Sequence, residues 1–223
     1  MGEWLFLSHL IDDNTPAYGG GSAFQSLKDK DINKGDSCNT AQWNLSNHMG
    51  THIDAPRHFS SEGNTLDYYP AEFWVFNNIA ILDISPVPPG YIISLEDLPI
   101  GNTSRNAQLL LIKTGFSDLR HKPVYWQNNP GFHPNLADYF REYFSKLRVF
   151  GFDVISLSSF THRALGREAH KAFLDHPRPI LILEDMDLSQ VSKETRFKHL
   201  IIAPLRVKKS DASPCTVLSE VYL

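Results

Sequence analysis

The chain has 223 residues, of which 42% are apolar, and its 21 Lys+Arg against 25 Asp+Glu give a formal net charge of −4. This charge argues against nucleic acid as a partner, which needs a concentrated basic surface, and the apolar content argues against a disordered chain. No stretch approaches about 18 consecutive apolar residues, so we expect no membrane span. One count stands out, since the chain contains 10 histidines.

Length and cysteine content indicate one intracellular domain. A chain of this length buries enough surface to fold as a single domain over residues 1–223 without disulfide bonds. Its two cysteines, Cys38 and Cys215, make no disulfide framework and favour a reducing compartment. Residues 1–4 (MGEW) lack the basic and apolar character of a signal peptide. We therefore expect a cytoplasmic protein.

Strand-like stretches dominate the chain. They are short, apolar and rich in branched residues, and Gly, Pro, Asn or Asp bounds them. This pattern is typical of buried or half-buried strands. The predicted strands span residues 79–84, 109–113, 149–155, 180–183, 200–204 and 217–222. Their number favours a sheet as the core of the fold.

Helices are predicted between these strands. Residues 135–147 carry apolar side chains at spacings of three and four, which places them on one helical face. Residues 165–174 form a shorter helix that Pro177 and Pro179 close, and a weaker helix covers residues 70–73. The predicted loops span residues 18–22, 85–90 and 125–131. The predicted fold class is α/β, a single mixed domain with a sheet core and a few outer helices.

A cluster of histidines is the strongest chemical signal in the sequence. Four side chains share even offsets: His48, His52, Asp54 and His58. On an extended strand they would lie on one face, where Gly50 leaves space for an ion or water. Two imidazoles and a carboxylate form a common half-site for zinc, and also for manganese or iron. His58 is placed to act as an acid/base group beside the metal. The alternative is a polar strand edge with solvated histidines.

A second group consists of His170 on the shorter helix and Glu184 at the end of a predicted strand. A carboxylate at the tip of a buried strand needs a cation or hydrogen-bond donors, because an unpaired buried charge is costly. Glu184 could therefore complete a metal site, or it could cap a loop or pair with Arg178. Asp185 and Asp187 follow at once and are expected to be solvated.

The residues of the first cluster resemble a known family, the cyclase or kynurenine formamidase-like metal hydrolases. Residues 48–58, HMGTHIDAPRH, match the family signature H-x-G-T-H-x-D-x-P-x-H in full. The likeness extends from about residue 5 to the end of the chain. Further similar stretches are residues 35–39, 111–116, 150–156, 169–174 with 183–184, and 203–205.

The resemblance implies a fold of the swivelling β/β/α type and one or two divalent ions per chain, with zinc as the first choice and manganese as the second. His48, His52 and Asp54 would bind one ion. His170 and Glu184, with Asp54 bridging, would bind a second ion where the site is binuclear. These roles are carried over from the family onto the matching positions.

Family members hydrolyse amide-type C–N bonds in small molecules such as aryl formamides and isatin, and they assemble as dimers or larger. The resemblance therefore implies an arylformamidase-like amidohydrolase, as in tryptophan catabolism, and a homo-oligomer (dimer or tetramer). It also implies that a metal-activated water attacks a carbonyl carbon while His58 transfers the proton. Tyr18 and Phe59 are candidate substrate-binding aromatics. Neither nucleic acid nor a membrane is an expected partner.

Three departures from the family pattern fall near expected pocket walls or interfaces. Glycine follows Tyr18 where the family has a second proline, Ser158 stands in place of a common Asp, and Cys215 stands in place of a common Arg. None of these residues is expected to touch a metal ligand. The departures are therefore expected to bear on the identity of the substrate.

The sequence lacks the motifs of serine and cysteine hydrolases. The chain has no G-x-S-x-G elbow, and Cys215 has no histidine partner in view, so we expect an idle, buried thiol. Two alternatives stay open. One is a hydrolase or cyclase acting at the same site on a lactone, an isatin-like or a polyketide-like substrate. The other is a metal-binding protein of this fold without turnover, for which His58 would be unnecessary.

Overall fold

A computed structural model of the chain describes residues 2–21, 24–101 and 103–222. Its strands are β1 Gly2–Phe6, β2 Gln25–Lys30, β3 Thr40–Asn44, β4 His52–Asp54, β5 Val75–Phe76, β6 Ile79–Asp83, β7 Ile92–Ile93, β8 Leu109–Lys113, β9 Gly131–Phe132, β10 Val149–Phe152, β11 Leu181–Glu184, β12 Phe197–Pro204 and β13 Ala212–Tyr222. The α-helices are α1 Val124–Gln127, α2 Asn135–Tyr143 and α3 Arg163–Leu174. Short 3-10 helices, including Tyr18–Gly20, Pro56–His58, Ala71–Trp74 and Phe160–His162, occupy several connections.

Nine strands form one mixed sheet within these described ranges. Their order is β5-β12-β13-β4-β11-β10-β8-β6, and β1 also pairs with β13. Strands β6, β8, β10 and β11 are parallel, whereas β4 is antiparallel to both of its neighbours, β11 and β13. Strand β4 is therefore the seam between the parallel and antiparallel halves. Because β12 contacts β6, the sheet curls towards a closed barrel.

Three of the parallel strands, β8, β10 and β11, are buried on both faces, because their side chains alternate between two apolar cores. On β8, Leu110 and Ile112 enter the core that α2 and α3 cover. Leu109 and Leu111 enter the second core, together with residues of β12 and β13. The first core is rich in phenylalanines: Phe132, Phe140, Phe150, Phe152 and Phe173. Full burial of one such side chain contributes roughly 1.5–3 kcal/mol.

The predicted α/β class, with a sheet core and a few outer helices, is confirmed. The strand predicted over residues 109–113 is β8, and the helix predicted from residue 135 is α2, which ends at Tyr143 rather than at residue 147. The weaker predicted helix is a 3-10 helix, Ala71–Trp74. Ser22, the last residue of the predicted glycine-rich loop, lies outside the described residues.

Two local predictions are wrong. Residues 48–58 do not form one extended strand, because Gly50 turns the chain with φ +63° and Pro56–His58 is a 3-10 helix, so that only β4 is a strand. Residues 125–131, predicted as a loop, contain most of α1 and the first residue of β9. These elements are four and two residues long, too short for periodicity to reveal them.

Asp153, directly after β10, fixes the turn that follows β8. Its fully buried carboxylate accepts hydrogen bonds from the Thr114 N–H and hydroxyl, both at 2.7 Å, and from the Gly115 N–H at 3.0 Å. Burial raises the pKa of the Asp153 carboxyl group, although these donors oppose the shift. The turn directs Phe116 into the core. Asp153 thus joins the ends of two neighbouring parallel strands.

Asp153→Ala should lower the free energy of unfolding by about 2–4 kcal/mol, because the buried donors of Thr114 and Gly115 lose their acceptor. Ser117→Ala is the matched control, since it removes only a 3.4 Å hydrogen bond to the same carboxylate and should cost less than about 1 kcal/mol. Denaturant unfolding measures both variants. Equal losses would contradict the role given to Asp153.

Candidate metal centre

Separate parts of the chain meet at one pocket of about 290 Å3, whose wall contains all eight predicted site residues. The antiparallel pairing of β4 with β11 places His52 directly opposite Glu184 and Asp54 opposite Ile182. His170 is buried on α3 and faces the same pocket. Register in the sheet and one helix therefore gather side chains that lie more than 100 positions apart in the sequence.

The turn before β4 sets the position of His52. Gly50 occupies the left-handed region, φ +63°, which glycine adopts without steric cost. The Thr51 hydroxyl donates to the Asp185 carbonyl at 2.5 Å and accepts from the His9 N–H at 3.0 Å. Hydrogen bonds from two other segments therefore anchor this turn.

Three histidines of the pocket are each held by one ring nitrogen. A carbonyl or carboxylate oxygen can only accept, so the imidazole nitrogen facing it must donate. The opposite nitrogen of a neutral ring then carries a lone pair, and outer hydrogen bonds orient metal-ligating histidines in this way. The donating pairs are His52 Nδ1 with the Gly50 carbonyl (2.8 Å), His170 Nδ1 with the Gly166 carbonyl (2.9 Å) and His48 Nε2 with Asp211 Oδ2 (3.2 Å).

The free ring nitrogens converge on the carboxylates of Asp54 and Glu184. His48 Nδ1 lies 3.0 Å from Asp54 Oδ1, and His52 Nε2 lies 3.3 Å from Glu184 Oε2. His170 Nε2 lies 3.5 Å from Glu184 Oε1 and 3.8 Å from Asp54 Oδ2. Not all of these close approaches are hydrogen bonds. Within the described residues, both Asp54 oxygens and His52 Nε2 are buried without a hydrogen-bond partner.

This donor set fits a divalent cation, because lone pairs and carboxylate oxygens face one another in a buried space. Imidazole nitrogen and carboxylate oxygen are the ligands of zinc sites and also suit manganese or iron. Burial lowers the pKa of His52, but Glu184 and Asp54 outweigh it and raise the pKa to about 9. Burial also lowers the pKa of His48 and His170, and neighbouring carboxylates again outweigh it. These histidines thus bind protons at the positions where a cation would otherwise compensate the charge of the carboxylates.

Two groups within the described ranges are compact enough to bind an ion. His52, Asp54 and Glu184 form one, and His48, Asp54 and His58 form the other, with ligand atoms within 4.8 Å of one another in each. Asp54 belongs to both groups, as a bridging carboxylate would. The sequence prediction grouped the ligands differently, since it paired His48 with His52 and left His58 free.

Asp211, which sequence reasoning missed, connects His58 to His48. This residue directly precedes β13, and its Oδ2 lies 3.2 Å from His48 Nε2 and 3.2 Å from His58 Nδ1. The second nitrogen of His58, Nε2, faces Asp54 Oδ2 at 4.0 Å. Burial lowers the pKa of His58, so Nε2 is unprotonated at neutral pH. An aspartate in a turn carries no sequence signal that would have revealed this contact.

Glu184 accepts hydrogen bonds from groups other than Arg178, the alternative partner considered from the sequence. Its Oε1 accepts from the Leu157 N–H at 2.7 Å and from the Ser156 hydroxyl at 3.3 Å. Arg178 donates instead to backbone carbonyls, including that of Ser145. Burial raises the pKa of Glu184, but the nearby imidazoles of His170 and His52, at 3.5 and 3.3 Å, outweigh it and keep the pKa well below its usual value.

Two expectations about residues near the site are wrong. Asp185 is 1% exposed rather than solvated, because Arg120 pairs with it at 2.7 Å and the Tyr125 hydroxyl donates to it at 2.5 Å. Ser158 touches a predicted ligand, since its hydroxyl lies 3.2 Å from His170 Nδ1. One of the departures from the family pattern therefore lies directly behind the site.

Both candidate substrate-binding aromatics face the pocket. Phe59 stacks on the His170 imidazole, with ring centroids 4.6 Å apart and an interplanar angle of 19°. Tyr18 packs edge-on against Phe160 at 5.5 Å. Cys215 is buried, as expected, and burial raises the pKa of its thiol. This thiol is therefore protonated and a poor nucleophile.

Fold and site together define a mixed α/β protein with a candidate metal centre at the seam of its sheet. The Cyclase family model matches residues 5–159. The chain belongs to this family. None of the helices in the described part of the chain has the length and apolar character needed to cross a membrane.

Individual relatives are similar over nearly the whole chain. A kynurenine formamidase of Geobacillus thermodenitrificans is 29% identical over 214 residues, covering 96% of this chain and 95% of the relative. Isatin hydrolase A from Labrenzia aggregata, solved with benzyl benzoate bound, has a TM-score of 0.82 and 23% identity over 99% of this chain and 94% of its own. A structure described as a "predicted metal-dependent hydrolase" from Bacillus stearothermophilus has a TM-score of 0.76 and 19% identity, covering 99% and 98%. The structural likenesses show the fold.

Metal affinity should rise with pH between pH 6 and pH 8. The raised pKa of His52, about 9, means that a cation must displace a proton over this whole range. The affinity should therefore increase by about tenfold per pH unit for each proton displaced. Competition titration against a metal indicator measures it, and His121→Ala, at an exposed histidine, should behave like the unmodified chain. A pH-independent affinity would contradict this assignment.

Proposed function

We propose that the chain is a metal-dependent hydrolase that cleaves an amide-type C–N bond in a small, aryl-containing substrate. The proposal is carried by buried ligand atoms on Asp54 and His52, which have no hydrogen-bond partner in the described part of the chain and face the pocket. His48, His170 and Glu184 complete the proposed ligand set, with zinc or manganese as the ion. The kynurenine formamidase and isatin hydrolase relatives support hydrolysis as the reaction.

A divalent ion at this centre would supply a water of lowered pKa and would polarise a carbonyl oxygen. His58 would act as the acid/base group, because Asp211 occupies its Nδ1 and leaves Nε2 free on the side of Asp54. An unprotonated Nε2 can take the proton of the attacking water and return it to the leaving nitrogen. Phe59 would support the aromatic part of the substrate, since it faces the pocket beside His170.

The same site would also serve the ester bond of a lactone or the cyclic amide of isatin, because a polarised carbonyl is the common requirement. A lactone, an isatin-like or a polyketide-like substrate is therefore the second candidate, and the isatin hydrolase likeness supports it. A metal-binding protein without turnover is the third. His58 opposes the third candidate, because a purely structural metal centre has no use for an unprotonated imidazole beside its ligands.

A hydrolysis screen of the metal-loaded protein on N-formylkynurenine, isatin and simple lactones should reveal turnover. His58→Ala should retain the metal and lose about 10²- to 10⁴-fold in kcat, the usual contribution of general acid–base catalysis. His121→Ala is the matched control and should keep full activity. Elemental analysis accompanies each assay. If His58→Ala loses the metal and regains activity on reloading, His58 is a ligand and the assigned role is wrong.

We also propose that the chain forms a homo-oligomer in the cytoplasm. Strands β2 and β3 form a separate two-stranded sheet that is exposed along its whole length. Leu27 and Trp43 on this hairpin are 59% and 72% exposed. A lone hairpin is marginally stable in water, and exposed apolar side chains mark interfaces. The register pairs Trp43 with Ser26, so Leu27 and Trp43 lie on opposite faces of the hairpin. A second copy of the chain that receives the hairpin would cover both faces. Both free cysteines suit a reducing compartment.

Light scattering coupled to size exclusion should give the mass of a dimer or tetramer. Leu27→Asp combined with Trp43→Asp should shift the protein to a monomer, because the charges replace the apolar contact. Leu95→Asp is the control, since Leu95 is 39% exposed elsewhere on the molecule, and it should leave the mass unchanged. A monomeric unmodified chain would rule the proposal out.

A further inference from the structure

Two arginines on α3 face the candidate active site and have no charged partner among the residues that the structure describes. Arg163 and Arg167 both line the pocket that contains the proposed metal ligands. In the part of the chain that the structure describes, the arginine ion pairs with carboxylates are those of Arg120 and Arg141, so neither pocket arginine is neutralised. The Arg163 guanidinium lies 5.6 Å from the centre of the Phe160 ring, which supports it from one side.

Helix geometry places these arginines on the same face as a proposed metal ligand. Arg163, Arg167 and His170 follow one another at spacings of four and three residues, which share one side of a helix. Along the helix axis, the arginines lie roughly 5 and 10 Å from His170, at 1.5 Å per residue. A substrate reaching from the ion along α3 would therefore meet both guanidinium groups.

Tyr18 adds a hydrogen-bond donor to the same wall. Its hydroxyl is buried without a hydrogen-bond partner among the described residues, although Tyr18 lines the pocket. Burial, together with the charge of Glu184, raises the pKa of Tyr18 to about 12, while Arg163 and Arg167 oppose the shift. The hydroxyl therefore stays protonated, and Tyr18 and Arg163 both pack against Phe160. A protonated hydroxyl and two guanidinium groups on one pocket wall form a donor set for a carboxylate.

The net charge of the pocket wall also favours an anionic group on the substrate. A divalent ion would compensate the carboxylates of Asp54 and Glu184, leaving Arg163 and Arg167 as the excess charge of the wall. We infer that Tyr18, Arg163 and Arg167 form an anion subsite that binds a carboxylate of the substrate, one to two helical turns along α3 from His170. The inference rests on the proposed hydrolase function and narrows its substrate class to carboxylate-bearing molecules. Neutral aryl amides would then be poorer substrates.

A matched pair of substrates tests the subsite, namely 4-formamidobenzoate and formanilide, which differ by one carboxylate. The double variant Arg163→Gln/Arg167→Gln should lower kcat/KM on 4-formamidobenzoate by about 10- to 100-fold, the value of a charge-assisted pair. On formanilide the change should stay within about threefold. Arg206→Gln, at an exposed arginine elsewhere, should change neither. Equal losses on both substrates, or no loss on either, would overturn the inference.

Calorimetric binding of benzoate and benzamide to the metal-loaded protein tests the subsite without turnover. Benzoate affinity should fall at least about tenfold in the double arginine variant and several-fold in Tyr18→Phe, whereas benzamide affinity should not change. Benzoate binding that requires the metal but ignores the arginines would assign the carboxylate to the ion and overturn the inference. If no substrate is hydrolysed, the proposed function fails, and the binding result alone still decides whether the anion subsite exists.

Discussion

The buried carboxylate of Asp54 is the constraint around which the rest of the site is arranged. It is 1% exposed, and neither oxygen has a hydrogen-bond partner in the described ranges. Burying an ionised carboxylate costs several kcal/mol unless opposite charge compensates it. Three imidazoles turn a ring nitrogen towards Asp54 or its neighbour Glu184, and each is fixed by an acceptor on its other nitrogen. A cation at this position would compensate the buried negative charge, which neutral imidazoles alone cannot do.

Sheet topology explains why so short a strand can hold this charge. Strand β4 has three residues, yet it pairs with both β11 and β13 and forms the seam between two differently oriented halves. Apolar cores on both sides of the sheet hold the neighbouring strands in place. The register therefore fixes the ligand atoms of His52, Asp54 and Glu184 within 4.8 Å of one another. Little local backbone freedom is left for these ligands.

Buried elements were the part of the fold that the sequence could predict. Strand β8 was predicted at its observed limits because all its core-facing positions are apolar, and α2 because its apolar face is periodic. The hairpin of β2 and β3 was missed because QSLKDK is polar and exposed, so no buried face marks it. The site residues were predicted as a set, but the extended geometry was wrong because Gly50 bends the chain. Contacts such as that of Asp211 with His48 span 163 positions and leave no local pattern.

One shared carboxylate divides the histidines of the motif between two chemical states. Asp211 Oδ2 accepts from both His48 and His58, so each neutral ring turns its other nitrogen towards Asp54. That nitrogen lies 3.0 Å from Asp54 Oδ1 in His48 but 4.0 Å from Oδ2 in His58. Burial lowers the pKa of both rings. Asp54 and Asp211 outweigh it at His48 and raise its pKa, whereas the charges of His48 and His170 add to burial at His58 and lower its pKa. The surroundings thus favour positive charge at His48, where a cation would bind, and an uncharged base at His58.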